Sequence, residues 1–321
     1  MTPEEHLESL KADSDTLLDD DLRDSLESAL KSKSNLVVEF AAKLVVARES
    51  RVATEPLVAA HAFFAEDGVS RDRNCRAKTP IVEALVWLEY DDPDFYLAGI
   101  QYRQIEPAWG EPVDTAVNVR GASAYGLIGC RSASPAATMI ALVDLLADKE
   151  ALARVHAAHA IGASGSPAAV PLLRLKTRSG DTNFEVLGEC MKGLLSNDLA
   201  GNIDFVASYL TRGEELAIEA ATALGATRDE RAIKHVISAC KTCDQDRLYA
   251  FLVSISLSRA PVAIEFLIDA IREDSIRALP ALNALAPNRF YPDIRRQIES
   301  AVADCGNRQV QDVFENLFEV S

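Results

Sequence analysis

The chain has 321 residues, of which 48% are hydrophobic, 26% charged and 6% aromatic. That apolar content excludes a disordered or collagen-like polymer. The balance of 33 basic against 49 acidic residues, a net charge of −16, excludes a nucleic-acid partner gripped mainly through phosphates.

Residues 1–34 read as an acidic N-terminal capping region. Residues 1–31 carry ten Asp or Glu against Lys11, Arg23 and Lys31, while Leu18, Leu22, Leu26 and Leu30 recur every four residues. Such a stripe predicts an amphipathic helix with a polar outer face. The start, MTPEEHLESL, lacks the basic and apolar regions of a secretory signal. No apolar stretch approaches the ~20 residues that span a bilayer. Six cysteines are too sparse for a disulfide scaffold. The expectation is a soluble cytoplasmic protein with no membrane contact.

Residues 35–114 read as divergent helical repeats, with helices over 35–48, 53–66, 77–90 and 94–105. Bulky residues gather here, among them Phe40, Phe63, Phe64, Trp87, Phe95 and Tyr96. The stretch from Asp72 to Arg120 breaks the pattern. It begins RDRNCRAK, with Arg71, Arg73, Arg76 and Lys78, and closes with the insertion YRQIEPAWGEPVDTAVNVR. Long insertions inside compact arrays often carry binding elements. The candidate partner-binding residues are therefore Arg71, Arg73, Arg76, Lys78, Glu106, Trp109 and Asp114. Trp109 is the candidate anchor, and the four cations are candidate contacts to carboxylate or phosphate. The competing reading is a rigid plug, with the prolines fixing turns, Trp109 packed over a groove and Asp114 paired with an arginine.

Residues 115–306 repeat regularly. Alanine-rich segments ending at a small residue (VRGASAYGLIG, RVHAAHAIG, AIEAATALG) alternate with segments that follow a turn (PAATMIALVDLL, ERAIKHVISAC, PVAIEFLIDAI). Met139, Val170, Ile203, Ile233, Ile264 and Ile294 mark one position of the second segment, at separations of 31, 33, 30, 31 and 30 residues. Apolar residues two to four positions later complete a helical face, and strand alternation is essentially absent. A period near 31 with two helices per unit predicts an all-α superhelix of about eight helix pairs. Residues 307–321 carry Val310, Val313, Phe314, Leu317 and Phe318 at helical spacing and predict a C-terminal capping helix.

At these residues the chain resembles the HEAT repeat family, and more closely the phycobilisome-lyase-type HEAT-like repeat. Arginines near the start of the first helix carry the resemblance, namely Arg120, Arg154, Arg247 and Arg277. Asp114, Asp148, Asp246 and Asp274 lie upstream of them, and Gly129, Gly162 and Gly225 lie at the helix ends. The resemblance implies a right-handed ARM-type solenoid in which those arginines form an internal ladder of ion pairs and carbonyl bonds. It is nearly silent on function.

Other constellations are weaker. His156 and His159 lie three apart on a predicted helix, but RVHAAHAIG offers no further ligand, so no metal is expected. None of the five histidines is followed by Glu, unlike the iron-binding pairs of deoxyhypusine hydroxylase. The single C-x-x-C at Cys240 and Cys243 lacks a second pair. Walker A, dinucleotide-binding, G-x-S-x-G and HExxH motifs are absent. The reading is a non-enzymatic scaffold, monomeric or dimeric and without a cofactor, binding a protein or peptide on its concave face and the 106–115 loop. A chromophore-handling protein like the phycobilin lyases, or an enzyme of unrecognised type using residues 72–120, are the alternatives.

Overall fold

The computed structural model describes residues 2–16, 19–273 and 276–318. Among them are twenty α-helices and a single two-stranded ribbon, so the fold is all-α. Contacts divide the chain into two compact units, residues 1–166 and 167–321. The division falls within the regular array, between the two helices of its second pair, Ala151–Ala163 and Ala169–Ser179.

The first unit comprises α1 (Pro3–Thr16), α2 (Asp19–Leu30), α3 (Asn35–Ala47), α4 (Thr54–Glu66), α5 (Gly68–Arg71), α6 (Lys78–Trp87), α7 (Pro93–Gln101), α8 (Val117–Gly129), α9 (Pro135–Leu146) and α10 (Ala151–Ala163). A 3₁₀ turn, Arg73–Cys75, precedes α6, and the ribbon β1 (Ile105–Glu106) and β2 (Val113–Asp114) separates α7 from α8. Helices α3, α6, α8 and α10 stack side by side as one layer, while α4, α7 and α9 back α6, α8 and α10. The acidic N-terminus forms two helices rather than one. Both pack on α3, burying Leu10, Leu22, Leu26 and Leu30; Leu18 lies outside the described residues. The helix expected over 94–105 stops at Gln101, where Tyr102 turns extended and the chain enters β1.

The second unit comprises α11 (Ala169–Ser179), α12 (Phe184–Asn197), α13 (Leu199–Ala207), α14 (Glu214–Ala226), α15 (Glu230–Cys240), α16 (Gln245–Ser258), α17 (Pro261–Arg272), α18 (Ala278–Leu285), α19 (Pro292–Cys305) and α20 (Arg308–Phe318). Helices α12, α14, α16 and α18 form one layer, with α13, α15, α17 and α19 behind. Starts are set by side-chain caps: Asn183 accepts from the Val186 amide, Asp229 from Arg231 and Ala232, and Asp244 from Arg247. The repeat anchors Ile203, Ile233 and Ile264 are buried. Val170 and Ile294 are half-buried, with Leu173 and Ile298 taking the core position beside them. Close layering depends on small residues: a Cβ on Gly225 of α14 would overlap the Ser254 carbonyl of α16. Gly129 differs. It meets open space and its φ is not positive. Helix α20 lays Val310, Phe314 and Phe318 over the end of this core.

Candidate functional site

The irregular stretch folds into a hairpin with a buried polar base and an apolar tip. Ile105 pairs with Asp114 and Glu106 with Val113, which fixes the register of the ribbon. Every residue from Pro107 to Val113 is exposed, Trp109 entirely so. Gly110 sits at φ +109°, a conformation that a side chain would strain.

Two charge systems hold the base. Asp72 and Lys78 are wholly buried, with the Lys78 Nζ 3.0 Å from Asp72 Oδ2. The ammonium also donates to the Phe64 carbonyl at 3.2 Å and the Asp72 carbonyl at 3.5 Å. The Asp72 carboxylate accepts from the amides of Ala77 (2.8 Å) and Lys78 (3.0 Å), so an anion caps the start of α6. Gln104 then ties this centre to the hairpin. Its amide donates to the Asp72 carbonyl at 2.9 Å and to Glu106 Oε1 at 2.7 Å.

Glu106 Oε1 also accepts from the Asn74 amide at 2.6 Å and the Thr115 hydroxyl at 2.7 Å. Burial pushes this carboxyl up, but the bonds from Thr115, Gln104 and Asn74, with the Arg73 charge, outweigh it and hold it below the usual value. Asn74 (φ 61°) and Cys75 (φ 50°) are successive left-handed residues, costly except where surrounding bonds impose them. Burial pushes the Cys75 thiol up to about 11. His61, next to this centre, is pushed down to about 4 by burial first and the Lys78 charge second.

The second system is centred on Arg120, which is fully buried. It donates to Asp114 Oδ2 at 2.7 Å and the Tyr102 carbonyl at 3.1 Å, and its Nε lies 3.2 Å from Asp148 Oδ2. Arg103 reaches the same Asp148 at 2.7 Å. Arg120 thus bridges the aspartate of its own repeat to that of the next. The other repeat arginines are placed differently. Arg154 donates to the carbonyls of Asp148 and Lys149. Arg247 clamps Asp244, not Asp246, and Arg277 donates to the Lys241 carbonyl, while Asp274 lies outside the described residues.

Lys78, Glu106 and Asp114, read from the sequence as partner contacts, are interior. Burial leaves them no surface for a partner, and that assignment is corrected. Arg71 pairs with Glu66 and stacks on Phe63, and Arg76 pairs with Glu39. Arg73 is 70% exposed, at 3.5 Å from Glu106. Trp109 packs over no groove. The tip, with Trp109, Val113 and Ile105 exposed, and Arg73 near its base are what the hairpin presents.

A second feature lies across α6, α8 and α10. Tyr125 Oη is 3.0 Å from His156 Nδ1 and 3.1 Å from His159 Nδ1, each ring meeting the phenol edge-on. Tyr125 and His156 line a cleft of about 360 Å³ together with Glu83, whose carboxyl burial pushes up. Tyr125 was missed in the sequence. The repeat offered the signal, since 31 residues separate it from His156.

Six free cysteines are present: Cys75, Cys190 and Cys240 are buried, and Cys130, Cys243 and Cys305 are partly buried. No helix among the described residues is long and apolar enough to cross a membrane. No protein-family model matches the chain, and no curated protein matches it. Among solved structures, it is similar to the complex of CpcE and CpcF of phycocyanin lyase from Nostoc sp. PCC7120. The TM-score is 0.41 and the identity 12%, over 78% of this chain and 95% of that chain. Nothing about activity follows from so distant a likeness.

Proposed function

We propose that this protein is a non-enzymatic helical-repeat scaffold that engages a protein or peptide partner through the tip of its 105–114 hairpin. The observation that carries this reading is the placement of Trp109: wholly exposed, on a ribbon whose base is fixed by buried charges. A rigidly presented aromatic loses little conformational entropy on docking and can dominate an interface. Arg73 adds one exposed cation near the base for a partner carboxylate. The net charge of −16 directs the reading toward protein rather than nucleic acid.

The test is capture of partners from a native lysate by the wild-type chain and by Trp109→Ala, quantified by mass spectrometry. Because Trp109 touches nothing in the fold, the variant keeps its helicity and melting temperature. A partner held by the wild type and lost by Trp109→Ala is the expected result. Equal recovery of the same proteins by both rules the tip out.

A further inference from the structure

We propose that Tyr125, His156 and His159 form a binding site for a divalent transition-metal ion, zinc or copper(II). Two imidazoles from α10 direct the same ring nitrogen, Nδ1, at one phenol oxygen from α8, at 3.0 and 3.1 Å. In a tetrahedral zinc site with bonds of 2.0–2.1 Å, adjacent donor atoms lie about 3.3 Å apart. Two of the three donor pairs, Tyr125 with each imidazole, are thus within about 0.3 Å of that spacing.

The hydrogen-bond chemistry of the metal-free trio leaves it adaptable. A neutral phenol has one proton, so it donates to one Nδ1 and accepts from the other, which requires two different imidazole tautomers. Binding a metal resolves that asymmetry. Both imidazoles present the Nδ1 lone pair, both carry their proton on Nε2, and the phenol proton leaves to solvent. Two neutral imidazoles and one phenolate leave the fourth position to water, the open arrangement of a site with three protein ligands.

The setting favours an ion over a purely structural contact. His159 is exposed and the neighbouring cleft holds Glu83, so there is an entry path and a nearby acidic group. The second helix position is also prepared: a Cβ on Gly121 would overlap the His156 ring, so a glycine in α8 makes room for that imidazole. Among the described residues no group of three His, Cys, Asp or Glu is placed to hold a metal. The third donor here is a tyrosine. Imidazole with a phenolate suits copper(II) and zinc and is a poor match for calcium or magnesium.

The experiment uses the full chain, with zinc binding measured by calorimetry and copper(II) binding by visible absorption. The expected wild-type result is one zinc per chain, and with copper(II) a phenolate-to-copper charge-transfer band. Tyr125→Phe keeps the ring and its edge contacts but loses the band, and it binds zinc at least about tenfold more weakly. His159→Ala, a surface change, weakens zinc by a similar factor. His235→Ala, at a partly buried histidine in the second unit that lies 3.2 Å from Asp204, binds as wild type does. Unchanged zinc affinity in both Tyr125→Phe and His159→Ala, or no wild-type binding at micromolar zinc, overturns the proposal. Circular dichroism on each variant separates lost binding from lost fold.

Discussion

Replacing Glu106 by alanine tests whether the buried network fixes the hairpin. Oε1 of Glu106 accepts three bonds, at 2.6 Å from Asn74, 2.7 Å from Gln104 and 2.7 Å from Thr115. Truncation does not orphan every donor. Gln104 retains the Asp72 carbonyl at 2.9 Å, and Thr115 retains the Gln104 carbonyl at 3.3 Å. The Asn74 amide loses its acceptor, and with it the restraint on a left-handed backbone. A hydrogen bond to a charged group contributes about 1.5–3 kcal/mol. With two donors keeping alternatives, the net loss is about 2–3 kcal/mol. Glu106→Gln keeps an acceptor and loses the charge, so it costs about 1 kcal/mol.

Urea unfolding followed by circular dichroism reads the difference. At about 2 kcal/mol per molar, a loss of that size moves the midpoint down by roughly 1 M. Because the Glu106 carboxyl is held below its usual value, its contribution is present at neutral pH. It fades as the pH falls below the normal carboxylate range. Amide exchange at Asn74 rises in the alanine variant. A Glu106→Ala protein within about 0.5 kcal/mol of wild type, with Asn74 exchange unchanged, refutes the argument that these bonds set the hairpin.

Three further outcomes follow from the same physics. Arg120→Met leaves Asp114 and Asp148 with only the half-exposed Arg103 as counter-charge and costs about 2–4 kcal/mol, while Arg247→Ala removes a local pair with Asp244 and costs about 0.5 kcal/mol or less; chemical denaturation of both distinguishes them. His61 has a folded value of about 4 against 6.5 when free, so its effect on stability is absent above pH 6.5 and grows destabilising as the pH falls toward 4. His61→Leu therefore unfolds less steeply with acid than wild type between pH 6.5 and 4.5, by about 2–3 kcal/mol at the lower end. Gly225→Ala drives a methyl into the Ser254 carbonyl and lowers stability by about 1–3 kcal/mol, whereas Gly129→Ala enters open space and is neutral or slightly stabilising by thermal melting.

The helix pairs were legible because the information that forms them is local. Each repeat buries its own apolar face, so Ile203, Ile233 and Ile264 announce themselves at a fixed spacing. The buried charges were not legible for the opposite reason. Lys78 and Asp72 sit in RDRNCRAK, a run that reads as solvated surface, and only packing against Phe64 and Tyr102 removes them from water. Asp72 is tied to Gln104, 32 residues away and outside any repeat register, and through it to Glu106. The Tyr125 cluster lies between these cases. Tyr125 and His156 occupy matching places in successive repeats, 31 apart, with His159 about one helical turn further on, so the period placed them near each other but did not say that they touch.

The hairpin inverts what an exposed insertion usually does. Two of its three charged residues, Glu106 and Asp114, are interior, and only the third, Glu111, joins the apolar Ile105, Trp109 and Val113 in facing water. Leaving a tryptophan exposed forgoes roughly 200 Å² of burial, about 5 kcal/mol at 25 cal/mol per Å². The contrast is Trp87, which packs against the first-unit core with Arg51 over its ring at 4.8 Å. A flexible loop could fold Trp109 back onto the helices and recover part of that energy. This one is tied at Gln104, Glu106, Asp114 and Thr115, which keeps the ring away from the body of the unit. The polar base and the apolar tip are thus one device: the first prevents the collapse that the second would otherwise undergo. That coupling favours the binding reading over the plug reading, since a plug gains by burying its tryptophan and this structure forgoes it.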